Sequence, residues 1–293
     1  MDYLTLFDKR VLLINRILVT LIVLVTVVPL IYVLVASFME PSTLLTQGIS
    51  FNPNDWTLEG YSRVLQDDSI IRGFINSMFY STAFSLLSVC ITMLTAYPLS
   101  KKELVGKGPV MTFLIITMFF GGGLVPTYLL IRNLGMLNTP WAIIVPGAMN
   151  VFFVILGKTY FQNIPDELTE AAVIDGATEM DIFIKIMIPL AKPIIFVLFL
   201  YSFVGQWNAY FEAMIYLQDS RLEPLQLVLR QILVQNQPQQ NMVGAQTEMV
   251  LLNQIAELIK YATIVVSSLP LLIMYPFFQK YFEKGTLVGS IKG

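Results

Sequence analysis

Histidine is absent from all 293 residues, and cysteine occurs once, at Cys90. Without imidazole there is no His general base and no Ser-His-Asp or Cys-His arrangement. A single thiol rules out an internal disulfide, and with no histidine beside it there is no Cys/His metal cluster. Cys90 lies in an apolar run, Phe84 to Met93, and reads as a small buried hydrophobe with no redox or nucleophilic role. Charge is scarce as well: Asp, Glu, Lys and Arg make up 13% of the chain, about half the ~25% usual in soluble domains. The net charge of −2 and the lack of a single basic patch argue against a nucleic-acid partner.

Apolar residues fill the space that charge leaves. They make up 56% of the chain, and the mean hydropathy is +0.69, which points to the lipid bilayer as solvent. A helix needs about 20 mainly apolar residues to cross the hydrocarbon core. Six segments qualify: Ile17–Phe38, Phe74–Leu99, Pro109–Ile131, Trp141–Gly157, Pro193–Leu217 and Tyr261–Gln279. The first is longer than a signal-peptide core, and Val35-Ala36-Ser37-Phe38 offers no small-x-small cleavage site, so it reads as a retained anchor. The third and fourth are joined by Arg132 and the turn residues Asn133, Gly135, Asn138 and Pro140, which predicts a membrane hairpin.

Positive residues in short loops stay on the cytoplasmic side. Twelve of the 18 fall on one side: Lys9, Arg10, Arg16, Lys101, Lys102, Lys107, Lys158, Lys185, Lys192, Lys280, Lys284 and Lys292. The other six, Arg63, Arg72, Arg132, Arg221, Arg230 and Lys260, are spread over longer loops. Both termini are therefore expected in the cytoplasm. Two outward segments, Met39–Gly73 and Gln218–Lys260, are long enough to fold against an extracytoplasmic partner or to cap the bundle. Within the second, Leu225–Leu233 suits a short amphipathic helix. No internal repeat supports an inverted-repeat transporter.

Between the fourth and fifth spans lies a cytoplasmic segment, 158–192, far longer than a turn requires. Pro165, Asp166 and Glu167 mark a helix start, predicting a short helix Glu167–Ile174. Gly176 permits a tight turn, and Thr178-Glu179-Met180-Asp181 resembles a capping box opening a second helix, Glu179–Met187, with Ile182, Phe183, Ile186 and Met187 on one side. Pro189 and Pro193 interrupt the chain before the fifth span. By composition alone this hairpin serves equally as a docking element or as a surface feature packed on its own bundle.

The residues of the hairpin carry a resemblance. Glu170-Ala171-Ala172, three residues, Gly176, nine residues, Ile186, one residue, then Ile188-Pro189 is similar to the EAA loop of ABC-importer permeases, with Ile188 where leucine is usual. Phe51-Asn52-Pro53, Thr57 to Tyr61 and Asn76-Ser77 resemble the MalG-like subunit of maltose-type sugar importers. So do Pro270, Tyr275-Pro276, Gln279 to Phe282, Lys284-Gly285 and Gly289 to Gly293. Leu225–Leu233 and the ending look most like the branch that imports larger oligosaccharides, including pectic and alginate fragments.

The resemblance implies an all-α polytopic membrane protein, a single transmembrane domain over 1–293 with six transmembrane helices and the coupling hairpin between the fourth and fifth. Glu170, Ala171, Ala172, Gly176, Ile186 and Pro189 would couple it to an ATPase subunit, and the tail residues Gly289, Ser290, Ile291 and Lys292 would make a second contact. The implied partners are a second, non-identical permease, two ATP-binding subunits that hold ATP and Mg, and an extracytoplasmic sugar-binding protein delivering an oligosaccharide. The expected location is the bacterial inner membrane. Gly106-Lys107-Gly108 lacks P-loop spacing, so no ATPase site, catalytic residue or metal is expected in this chain.

Polar groups inside spans are costly and usually face a bundle interior. The fifth span holds Gln206, Trp207, Asn208, Tyr210 and Glu212, with Asn208 and Glu212 four residues apart and thus expected on one helix face. Aromatic stacking with amide and carboxylate hydrogen bonds suits a sugar pathway; an interfacial aromatic belt is the competing reading. Asn150 is a weaker candidate. An ion-coupled secondary transporter would need ionisable groups deep in several spans, and Glu212 is the one clear carboxylate inside a predicted span. A membrane scaffold makes fewer demands on sequence.

Overall fold

A computed structural model describes residues 6–50, 52–235 and 259–279. Within them the chain is helical, joined by turns and one isolated β-bridge between Met39 and Trp56. The chain divides into two compact units. The first comprises Met1–Ile71 and Leu229–Leu269, the second Arg72–Val228 and Pro270–Gly293.

In the first unit, α1 (Leu6–Ala36) is apolar on all sides from Ile17 onward and exposed along most of its length, as expected of a helix whose solvent is lipid. The segment after it is ordered by its own contacts. It contains α2 (Pro41–Gln47) and α3 (Glu59–Gln66), and Ala36, Met39 and Leu44 form a small core. The Ser37 and Tyr61 hydroxyls lie 2.6 Å apart, and Phe38 packs on Trp56 and Tyr61.

The second unit is built around α4 (Asp68–Ser100), which enters it at Arg72. Ser77, Ser81, Ser85, Ser88 and Thr92 run along it as a buried row of small hydroxyl side chains. Small residues let helix backbones approach closely. A Cβ on Gly157 of α8 (Val151–Gln162) would come within 3.1 Å of the Ala96 side chain. The carbonyls at the end of α4 are met by the Lys107 ammonium, 3.4 Å from Ser100 O and 3.0 Å from Lys101 O, a cation at the negative end of the helix dipole.

Among the described residues, three helices are long and apolar enough to cross a bilayer: Lys9–Ala36 within α1, Asp68–Ser100, and the last described helix, Ile259–Gln279. The other three expected spans are interrupted, which corrects the reading of them as continuous helices. Pro109–Ile131 is split into α5 (Lys107–Phe119) and α6 (Leu124–Asn133), which meet at 110°. The break falls at Gly121–Gly123, where Gly123 takes φ +83°, a backbone state that glycine adopts cheaply. Trp141–Gly157 becomes α7 (Trp141–Ile144), a turn through Pro146 and Gly147, and α8. Asn150 caps α8, its Oδ1 accepting from Phe153 N at 3.3 Å.

Pro193–Leu217 becomes Lys192–Trp207 and Phe211–Tyr216. The first piece extends roughly 24 Å at ~1.5 Å per residue, short of a hydrocarbon core about 30 Å thick. Asn208 ends it by turning its side-chain amide back to Val204 O at 2.8 Å. The expected loop 158–192 likewise begins later, because α8 continues through Lys158 to Gln162.

Candidate functional site: a helical hairpin and a polar cleft

The hairpin forms as its local signals dictate. Pro165 precedes α9 (Asp166–Ile174), with Asp166 and Glu167 at the positive end. Gly176, at φ +80°, closes α9. Its N–H donates to Val173 O at 3.0 Å, while Ala177 N–H donates to Ala172 O at 2.9 Å, the pairing of a Schellman turn. Thr178 and Asp181 then form a reciprocal capping box that opens α10 (Glu179–Leu190). The hydrogen bonds from Thr178 and Lys185 hold the Asp181 carboxyl down at about 2, with Lys185 the larger cause.

α10 widens into a π-helical stretch at Ile182–Met187 and meets α11 (Lys192–Trp207) at 74°. Ile182, Phe183 and Met187 sink into a core shared with Met93, Ala96, Tyr97, Val154, Phe161 and Leu198, and Ile186 packs against it. Of the motif residues, Ala172 is buried in the same core while Glu170, Ala171, Gly176 and Pro189 are exposed. The hairpin is therefore anchored by one face and open on the other, where Val173, Ile174, Met180 and Ile184 stand exposed.

Two ion pairs tie it to the loop after α4. Lys102 lies 2.8 Å from Asp166 and Lys101 lies 3.5 Å from Glu179. Lys102 lowers the pKa of Asp166 and is itself raised in return. A cleft of about 350 Å³ separates this loop from α9 and is lined by Lys101, Lys102, Gln162, Asp166 and Glu170 among others.

A second cleft, of about 300 Å³, opens between α4, the α7–α8 turn and the broken helix. Gln206, Glu212 and Asn150 line it, as does a set that sequence reasoning missed: Ser88, Tyr201, Ser202 and Gly205. Ser88 and Ser202 come together from distant helices, their hydroxyls 3.4 Å apart. Ser202 lies one turn ahead of Gln206, and Tyr201 and Gly205 are one turn apart, spacings that could have suggested them.

The rest of the expected pathway set lies elsewhere. Trp207 is 1% exposed, stacked on Phe203 at 5.9 Å and edge-on to Phe74 at 5.5 Å, so it is a core residue rather than a sugar platform. The break at Asn208 removes the shared helix face expected for Asn208 and Glu212; neither Asn208 nor Tyr210 lines the cleft. Cys90 is exposed, beside an apolar groove with Leu86, Leu94 and Phe199, a correction that follows from lipid being the solvent outside. Gly289, Ser290, Ile291 and Lys292 lie outside the described residues.

On the far side of the unit, α4 holds the loop that precedes α13 (Leu225–Gln235). We label the intervening helix Phe211–Tyr216 α12. Asn76 Nδ2 donates to Arg221 O and Glu223 O, Tyr80 OH donates to Leu222 O, and Ser77 Oγ accepts from Leu225 N. Asn138, at φ +56°, accepts the amides of Gln218 and Asp219 on its Oδ1.

A polar cleft inside an apolar helical unit, with an anchored but half-open hairpin on the same helices, defines a membrane transport component. Residues 104–288 match the family of binding-protein-dependent transport system inner membrane components. The chain is 39% identical over 264 residues to the polygalacturonan/rhamnogalacturonan transport system permease protein YtcP of Bacillus subtilis, covering 90% of this chain and 91% of that one. It is 30% identical to the trehalose/maltose transport system permease protein MalG of Thermococcus litoralis, covering 90% of each. Among solved structures it is similar to a chain in the crystal structure of a bacterial ABC transporter involved in the import of the acidic polysaccharide alginate. The TM-score there is 0.85 and the identity 32%, over 96% of this chain and all of that one. The chain belongs to the family of binding-protein-dependent transport system inner membrane components, and is a permease of the ABC type.

Proposed function

We propose that this chain is one of two non-identical permease subunits forming the path of an ATP-driven oligosaccharide importer in the bacterial inner membrane. Six membrane segments, three of them broken, carry both termini on the cytoplasmic side. The hairpin docks on an ATP-binding subunit; ATP and Mg belong to a pair of such subunits, and an extracytoplasmic binding protein delivers the sugar. The observation that carries this reading is that α8 and α11 flank the hairpin in the chain and both contribute to the polar cleft, Phe153 from one and Tyr201, Ser202, Gly205 and Gln206 from the other. A displacement of the hairpin therefore reaches the cleft through continuous helices.

The relative named for polygalacturonan/rhamnogalacturonan transport and the structure involved in alginate import support an acidic oligosaccharide as the substrate class. Among the described residues Glu212 is the one charged residue lining the cleft, so this wall reads sugar hydroxyls, and substrate carboxylates turn toward the second permease.

The test is to purify the tagged chain from its native operon, identify what accompanies it, and measure uptake of oligogalacturonides against neutral maltooligosaccharides in proteoliposomes. A second permease and an ATP-binding subunit are expected with the wild type. The ATP-binding subunit should be lost or uncoupled in Gly176→Pro and Glu170→Lys. Purification of the chain alone, or neutral-sugar uptake exceeding acidic-sugar uptake, would overturn the complex or the substrate class respectively.

A further inference from the structure

Sequence alone supplies two covalent routes from the hairpin to the cleft, α8 and α11. The fold adds a third, through side chains. Tyr97, on α4, donates its hydroxyl to the Glu179 carboxylate at 2.8 Å, across 82 positions of sequence. Its ring packs against Phe183 of α10 at 4.9 Å and edge-on to Phe161 of α8 at 5.7 Å. Lys101 completes the cluster, 3.5 Å from the same Glu179 oxygen and 4.9 Å above the Tyr97 ring. Burial pulls the Lys101 ammonium down, but the Tyr97 hydroxyl and the Glu179 carboxylate leave it raised overall.

Glu179 is the first residue of α10, and the capping box fixes its position relative to the Gly176 turn. Tyr97 is nearly buried and cannot follow a moving carboxylate by swinging through solvent. When the hairpin shifts, either the hydroxyl–carboxylate bond breaks or α4 moves with it. The same helix presents Ser88 and Phe84 to the cleft, with Ser88 about 13 Å from Tyr97 at ~1.5 Å per residue.

We infer that Tyr97 and Glu179 are positioning residues that transmit hairpin movement to α4, and through it to the Ser88 wall of the cleft. This rests on the coupling role proposed above. An exposed Lys101–Glu179 pair would carry little by itself. The buried ring and its charge-assisted hydrogen bond make the link stiff.

The experiment compares wild type, Tyr97→Phe, Glu179→Ala and Glu179→Gln in the full reconstituted complex. It records recovery of the ATP-binding subunit and sugar transported per ATP hydrolysed. Tyr97→Phe keeps the ring and removes only the hydroxyl, so the complex is expected to assemble while transport per ATP falls about tenfold, the order expected for losing a hydrogen bond to a charged group. Glu179→Ala should match it. Glu179→Gln retains a neutral oxygen acceptor for the tyrosine and should recover part of the loss. Unchanged transport per ATP in Tyr97→Phe and Glu179→Ala overturns the inference, as does loss of the ATP-binding subunit in both, which would mark the pair as merely structural. Failure of the wild type to assemble or transport would instead strike the functional reading.

Discussion

Consider Gly176→Ala. The backbone there sits at φ +80°, and a Cβ added to it meets no atom within 4 Å. The cost is therefore one of backbone conformation with no clash added, about 1–2 kcal/mol for an L-residue in the left-handed region. That range corresponds to a roughly 5–30-fold shift against the turn that joins α9 to α10. Asparagine visits this region more readily, so Gly176→Asn should cost less than alanine. Proline cannot adopt the angle and lacks the N–H that meets Val173 O, so Gly176→Pro should abolish the turn. The expected order is Gly, Asn, Ala, Pro. Hydrogen exchange followed by mass spectrometry over Asp166–Leu190 in the purified complex would read it as declining protection at Gly176 and Ala177. Transport should fall in the same order. If alanine matches glycine in both readouts, or asparagine proves worse than alanine, the turn is not limited by its backbone angle and the reasoning fails.

Three other outcomes are expected. Trp207→Ala should destabilise the extracted protein by about 3–5 kcal/mol, as a large core truncation, whereas Trp207→Phe should keep most of the stability and leave sugar affinity unaltered; thermal unfolding and substrate binding check both. Asn138→Ala loses the acceptor for two amides and keeps an unfavourable φ, so it should cost more than Asn138→Gly, which relieves the angle; the two melting temperatures decide. The Asp181 carboxyl, lowered to about 2 from 3.8, stabilises the start of α10 above pH 4, and that contribution is lost as pH falls from about 4 through 2. Amide exchange near Thr178 should therefore hold steady from pH 7 to 4 after correction for intrinsic rates, then rise, and in Asp181→Asn the step should disappear.

The hairpin was legible because its instructions are local. Pro165, the acidic first turn, Gly176 and the Thr178–Asp181 box each act within four residues, and the observed helices begin and end within a few residues of where these signals put them. The breaks in the spans were equally local, in Gly121–Gly123, Pro146-Gly147 and Asn208, but a hydropathy window averages over such short interruptions. Trp207 shows a different limit. A tryptophan near polar residues has one composition whether it lines a path or fills a core, and only the positions of Phe74 and Phe203 decide. Cys90 was misread as buried because an apolar run on a membrane helix extends over its outer face as well as its inner one. Ser88 and Ser202 could not be paired from sequence, since 114 positions separate them.

The row of hydroxyls on α4 bears on how easily that helix moves. Surfaces built of leucine knobs resist displacement, because each knob must climb out of the hole that holds it. Ser77, Ser81, Ser85, Ser88 and Thr92 present short, nearly uniform side chains, and glycine at 157 keeps the facing helix equally smooth there. Such a contact has little to disengage before it slides. Any shift of α4 would therefore be resisted mainly at the ends of this helix, where Tyr97 is bonded to the hairpin and Asn76, Ser77 and Tyr80 are bonded to the 221–225 segment.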